Sequence, residues 1–209
     1  MTSVTLRTSG GGHVDGHAED PIVVGRRWQT GVLLLILADV SFVAALLFSY
    51  LYLRGLNTSK AWLLPKQQIA TIWVGWLIAG VLVLSALAYR SGLGGIRNGS
   101  STRLASAAGL GVLLLVADFA AQVGQLVTLP FGVGDSAYSS ELYLLGGANL
   151  FHLLITLFLG IGVVNRTRRG LYSRDDSRQV QMVGYWWTWI AIAACATALV
   201  TSFVSSPAA

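Results

Sequence analysis

Residues 31–55 read GVLLLILADVSFVAALLFSYLYLRG, an apolar run interrupted by one charge, Asp39, before Arg54 ends it. A hydrocarbon core of about 30 Å is crossed by about 20 apolar residues at 1.5 Å each, so the stretch 32–53 is read as a membrane span. Outward from it, runs of similar length and character recur at 68–89, 104–129, 141–164 and 183–204. Five spans predict an all-α, polytopic membrane helix bundle. The polar stretches between them are too short to hold a second folded domain. Residues 1–27, rich in Gly with His13 and His17, are read as a flexible cytoplasmic tail without a signal-peptide core, and 205–209 as a short outer tail.

Composition agrees with this reading. Of 209 residues 54% are hydrophobic and 11% charged, too few charges to cover a soluble domain of that size. Orientation is read from the basic residues, which cytoplasmic segments retain. The tail, the second loop and the fourth loop hold eleven of the 14, from Arg7 to Arg178, while the first loop holds Arg54, Lys60 and Lys66. That asymmetry predicts an N-terminus in the cytoplasm and a C-terminus outside. The net charge of +5 is accordingly topology and lipid contact, with no folded basic face for nucleic acid. Arg54, Arg166, Arg168 and Arg169, at helix ends, are the expected phospholipid head-group contacts.

The polar residues inside the spans carry the chemical information, because a carboxylate at mid-helix costs roughly 2.5 to 3.5 kcal/mol on insertion scales. Asp39 lies well inside the first span. In the third, Asp118, Gln122 and Gln125 follow at i, i+4 and i+7 and share one face. In the fourth, Asn149 and His152 are three apart and share another. Two readings stand for this set: a proton-handling network centred on Asp39, or hydrogen-bonded interhelical glue, which is the stronger reading for Asp118 and His152. Small residues four apart, Gly75 and Ala79, Ala117 and Ala121, Ala120 and Gly124, Ala194 and Ala198, predict close helix contacts. Aromatics at the span ends are read as interfacial belts: Tyr50, Tyr52 and Trp62 at one side, Trp28, Tyr185, Trp186, Trp187 and Trp189 at the other. The single cysteine, Cys195, forms no internal disulfide. No nucleophile sits beside a base, no phosphate-binding loop is present, and one intramembrane histidine is too few for a bis-imidazole haem or a metal centre. The residues thus describe a chain with no catalytic centre, metal site or cofactor of its own.

Specific strings narrow this. Ala38-Asp39, Phe42 and the Tyr50–Arg54 exit of the first span are followed by Trp62 and Pro65. After these come LSALAYRSGLGGIRNGS, Phe119 with Gln122, Tyr138, the Gly147–His152 stretch, the basic loop RTRRGLYSRDD and the Tyr185-Trp186 pair. In that order they resemble subunit III of haem-copper oxidases over roughly residues 28–204, in a short five-helix bacterial form corresponding to the last five of seven helices. Asp39 stands where the family has Glu. Asn149 replaces the first of two histidines, Trp187 a histidine, and Ile190 an aspartate. The resemblance implies a non-redox accessory subunit of a proton-translocating cytochrome c oxidase in the bacterial plasma membrane. Its partners would be subunits I and II, which carry haem and copper. It would support proton uptake and active-site stability, with bound phospholipid as its ligand. The thinner polar set also fits an accessory or maturation protein of a nitric oxide reductase, and a small-solute transporter or sensor is the unrelated alternative.

Overall fold

The computed structural model describes residues 21–57, 62–174 and 177–203. The tail residues 1–20 with His13 and His17, Lys60 and residues 205–209 lie outside these. Among the described residues five helices follow one another: α1 Pro21–Leu56, α2 Ile72–Arg97, α3 Ser101–Val127, α4 Ala137–Arg168 and α5 Arg178–Thr201. All five are long and apolar enough to cross a membrane, so the chain is a multi-pass membrane protein.

The helices overrun the apolar runs at the arginine-rich end. α1 begins at Pro21, so residues 21–27, expected in the tail, are helical; Pro is well suited to a first helical position, where its missing N–H costs nothing. α2 likewise continues through Arg90 to Arg97, leaving Asn98–Ser100 as the whole second loop. Three glycines in this stretch, Gly92, Gly94 and Gly95, disfavour helix by propensity, so packing carries the extension: Gly92 and Gly95 are buried, and a Cβ on them would meet Ala107 at 3.0 Å and Arg103 at 2.9 Å.

Local chemistry sets the turns. After α2, Gly99 takes φ +80°. Its N–H donates to Ile96 O and that of Ser100 to Gly95 O, both at 2.9 Å, the hydrogen-bond pair of a Schellman stop. Gly170 repeats the device after α4 with φ +71°, bonding back to Thr167 O while Leu171 bonds to Arg166 O. Ser136 and Ser139 cap the start of α4 reciprocally.

α2, α3, α4 and α5 form a closed ring in which each packs on two others, and α1 lies outside it against α4 and α5. Only 6% of the apolar window of α1 is buried, against 50% for α5, so most of α1 faces outward. Close approach inside the ring uses glycine, though not at the expected positions. A Cβ on Gly111 would lie 3.3 Å from Ser85 O, and one on Gly160 2.8 Å from Val112 Cγ2. Ala79, Ala194 and Ala198 are buried as anticipated, whereas Ala117, Ala120 and Gly124 are exposed.

Candidate functional site

Asp39 is one of the points where α1 meets the ring. Its Oδ1 accepts from His152 Nε2 of α4 at 2.9 Å, and its Oδ2 accepts from Trp189 Nε1 of α5 at 2.6 Å. The carboxyl keeps 14% of its side-chain surface and the imidazole 5%. Both oxygens are thus engaged by N–H donors from two other helices, the way a buried carboxyl is normally satisfied.

The imidazole is held on three sides. Phe42 meets it edge-on at 6.2 Å, Phe151 tilts against it at 6.2 Å and Trp186 presents its ring at 6.1 Å. Trp186 in turn donates its indole N–H to Thr156 Oγ1 at 3.0 Å, and Thr156 donates to the carbonyl of His152 at 2.7 Å. One turn of α4 therefore carries both the imidazole and the hydroxyl that anchors its neighbouring indole. Chemically, the arrangement is a carboxyl–imidazole pair at proton-transfer distance with a second, fixed donor orienting the carboxyl.

The expected polar network separates into two groups. Asn149, three residues before His152, turns to the other neighbour: its Nδ2 donates to Gln122 Oε1 at 2.8 Å, and Gln122 Nε2 donates to Gln125 Oε1 at 3.0 Å. Asp118 joins neither group. It is fully buried, and neither oxygen accepts a hydrogen bond from the described residues.

Several aromatics expected at the interface are interior. Trp187 is fully buried, stacks on Tyr89 at 4.5 Å and donates to Ser85 Oγ at 3.0 Å, which donates on to Gly111 O at 2.8 Å. Tyr50 and Trp62 are also buried and pack edge to face at 5.0 Å in a cluster with Tyr138 and Phe131. An indole or phenol satisfies the interface and the core equally well, so position along the span does not separate the two. Trp28, Tyr52 and Tyr185 are exposed, as a belt requires.

Two groups escaped the sequence reading. Trp189, read from the sequence as part of an interfacial belt and not as a site residue, completes the Asp39 site. Glu141, taken only as the start of a span, is buried and accepts from Ser49 Oγ at 2.7 Å. Of the expected head-group arginines, Arg166, Arg168 and Arg169 are exposed. Arg166 donates to Gln179 Oε1 at 2.6 Å, which also accepts from Tyr172, tying the fourth loop to α5. A groove of about 450 Å³ between α1, α2 and α5 is lined instead by Arg90 and Arg97 above Leu33, Ile36 and Ile192.

Among the described residues no three His, Cys, Asp or Glu side chains converge as a metal site. No family model matches the chain, and no curated protein matches it.

Proposed function

We propose that the chain is a non-redox accessory subunit, of the subunit III type, of an aerobic haem-copper terminal oxidase in the bacterial plasma membrane. In this reading it packs on the haem- and copper-bearing subunit I beside subunit II. Its N-terminus is cytoplasmic, and it supports proton uptake and the stability of the active site. The observation that carries the reading is the meeting of Asp39, His152 and Trp189. Asp39 and His152 lie in two of the stretches that resemble the family, and Trp189 follows the Tyr185-Trp186 pair of a third.

Two further features support it. α1 is covered so little by its own chain that it suits a subunit whose packing is completed by a partner. The groove with Arg90 and Arg97 over an apolar floor suits a phospholipid, its phosphate on the guanidiniums and its chains below.

Ile190 and Asn149, in place of the acid and the histidine of the family pattern, favour a second reading on the same fold: an accessory or maturation protein of a nitric oxide reductase. The test is to isolate the native complex with Asp39 intact or as Asp39→Asn. The oxidase reading expects the same haem-copper subunits in both preparations and slower proton uptake in the variant. Absence of every haem-copper oxidase subunit would overturn it, and unchanged uptake in a fully assembled variant would reduce Asp39 to a structural brace.

A further inference from the structure

The two groups bonded to Asp39 are of unequal kind, and the difference decides where a proton on this site can sit. Trp189 Nε1 lies 2.6 Å from Oδ2, and His152 Nε2 lies 2.9 Å from Oδ1. An indole N–H only donates, whereas an imidazole nitrogen donates or accepts according to where the ring carries its proton. One carboxyl therefore meets a fixed donor through one oxygen and a proton-exchanging group through the other.

Three positions can hold a proton. The contact between Oδ1 and Nε2 is a hydrogen bond only while one proton lies between them, on the oxygen or on the nitrogen. A proton on Oδ2 would have to point away from the indole toward an acceptor, and the carboxyl has no bonds to the described residues beyond those to His152 and Trp189. It would also turn a charge-assisted bond from Trp189 into a weaker one to a hydroxyl oxygen. Nδ1 of His152 remains. It makes no hydrogen bond to the described residues, so it can gain or lose a proton while both bonds of Asp39 persist. Other ionisable groups stand back from the pair. α1 has none within ten positions of Asp39, and α4 none within eight of His152. Tyr185 of α5 and Arg90 of α2 share with Trp189 the groove beside α1, and neither bonds to Asp39 or His152. Against the imidazole itself lie the rings of Phe42, Phe151 and Trp186.

We propose that Trp189 is the positioning residue of this site: by holding Oδ2 with a group that donates and cannot accept, it directs proton exchange of the Asp39–His152 pair to His152 Nδ1. The protons balance. One arriving at Nδ1 joins the one already held between Nε2 and Oδ1, giving an imidazolium against a carboxylate. If the shared proton then crosses to Oδ1, the pair becomes a neutral acid against an imidazole protonated on Nδ1. Departure from Nδ1 restores the starting state. The inference rests on the proton-handling reading of this pair and is independent of the complex in which the chain serves.

Solid-state nitrogen NMR tests it, because the shift of a ring nitrogen tells a protonated atom from a bare one. The full chain is labelled at its histidine nitrogens and aspartate carboxyl carbons and placed in bilayers of its native lipids. His13→Gln and His17→Gln leave His152 as the source of the imidazole signal, and Asp39→Asn identifies the Asp39 carboxyl carbon by difference. Spectra are taken across about pH 5 to 8. In the comparison, Trp189 is replaced by benzothienylalanine, which keeps the bicyclic shape and puts sulfur where the N–H was, and separately by Trp189→Phe. As the pH falls, the parent is expected to fill Nδ1 while Nε2 stays hydrogen-bonded. In both variants the ratio of pairs protonated at Nδ1 to pairs with a neutral Asp39 carboxyl and a bare Nδ1 is expected to fall at least about tenfold, the worth of one hydrogen bond to a charged group. A bare Nδ1 in the parent at the acid end would overturn the proposal. So would variants that fill Nδ1 as the parent does, because Trp189 would then only pack. If neither variant accumulates, Nδ1 of the parent decides. Failure of the oxidase reading would show in the subunits that copurify, and failure of this proposal in the ring nitrogen.

Discussion

Replacing Asp39 by Leu removes an acceptor from two donors at once. His152 Nε2 and Trp189 Nε1, now bonded at 2.9 and 2.6 Å, would face an alkyl group. Interhelical hydrogen bonds within membranes average about 0.6 kcal/mol and reach about 1.7, so two lost together destabilise the fold by about 1 to 3 kcal/mol. The unfolded reference keeps its helices inserted, and the insertion cost of the carboxyl therefore largely cancels. Asp39→Asn behaves differently for a stereochemical reason. Its amide oxygen can accept from Trp189, which only donates, while its NH₂ donates to His152 Nε2 once the imidazole carries its proton on Nδ1. Both contacts survive without charge assistance, and the loss is about 1 kcal/mol or less. Equilibrium unfolding in mixed detergent micelles, followed by tryptophan fluorescence, separates the three proteins. The reasoning is refuted if Asp39→Leu unfolds within about 0.5 kcal/mol of the parent, or if Asn proves as damaging as Leu.

The same assay checks three further expectations. Gly160→Ala should cost about 1 to 3 kcal/mol, because its new methyl meets Val112 Cγ2 at 2.8 Å and the Trp187 ring at 3.0 Å, whereas Gly162→Ala, with nothing within 4 Å, should be neutral or slightly stabilising. Ser85→Ala leaves the buried Trp187 indole N–H without its acceptor and should cost about 1 to 2 kcal/mol, with a shift in tryptophan emission. Tyr138→Phe removes the hydroxyl that accepts from Ala70 N at 3.0 Å and should cost about 0.5 to 1.5 kcal/mol while leaving the edge-on contact with Trp62 in place.

The five helices were legible because a hydrocarbon solvent leaves few options: about 20 apolar residues in a row satisfy their backbone as a helix or not at all. Helix ends were less legible, since α2 runs through Arg90 to Arg97 over Gly92, Gly94 and Gly95, which both propensity and hydropathy would place in a loop, and what holds them helical is close packing on α3. The individual polar residues were also visible, each conspicuous against Leu and Val. Their grouping was not. Asn149 and His152 share a helix face within about 60°, yet one bonds α3 and the other α1, because α4 packs on α3 within the ring and on α1 outside it. Trp187 and Trp189 show the same limit. Two residues apart, they project to nearly opposite sides of α5, one into the ring against Ser85 and the other out to Asp39, and a reading by depth alone assigned both to the interface.

The proposal that this chain belongs to a haem-copper oxidase is tested most directly by its native company. The chain is tagged, purified in mild detergent from its own membranes, and the preparation's reduced-minus-oxidised haem spectrum is recorded with its subunits identified. Haem a bands accompanied by subunits I and II are the predicted result; a haem b nitric oxide reductase, or a colourless chain alone, would contradict it.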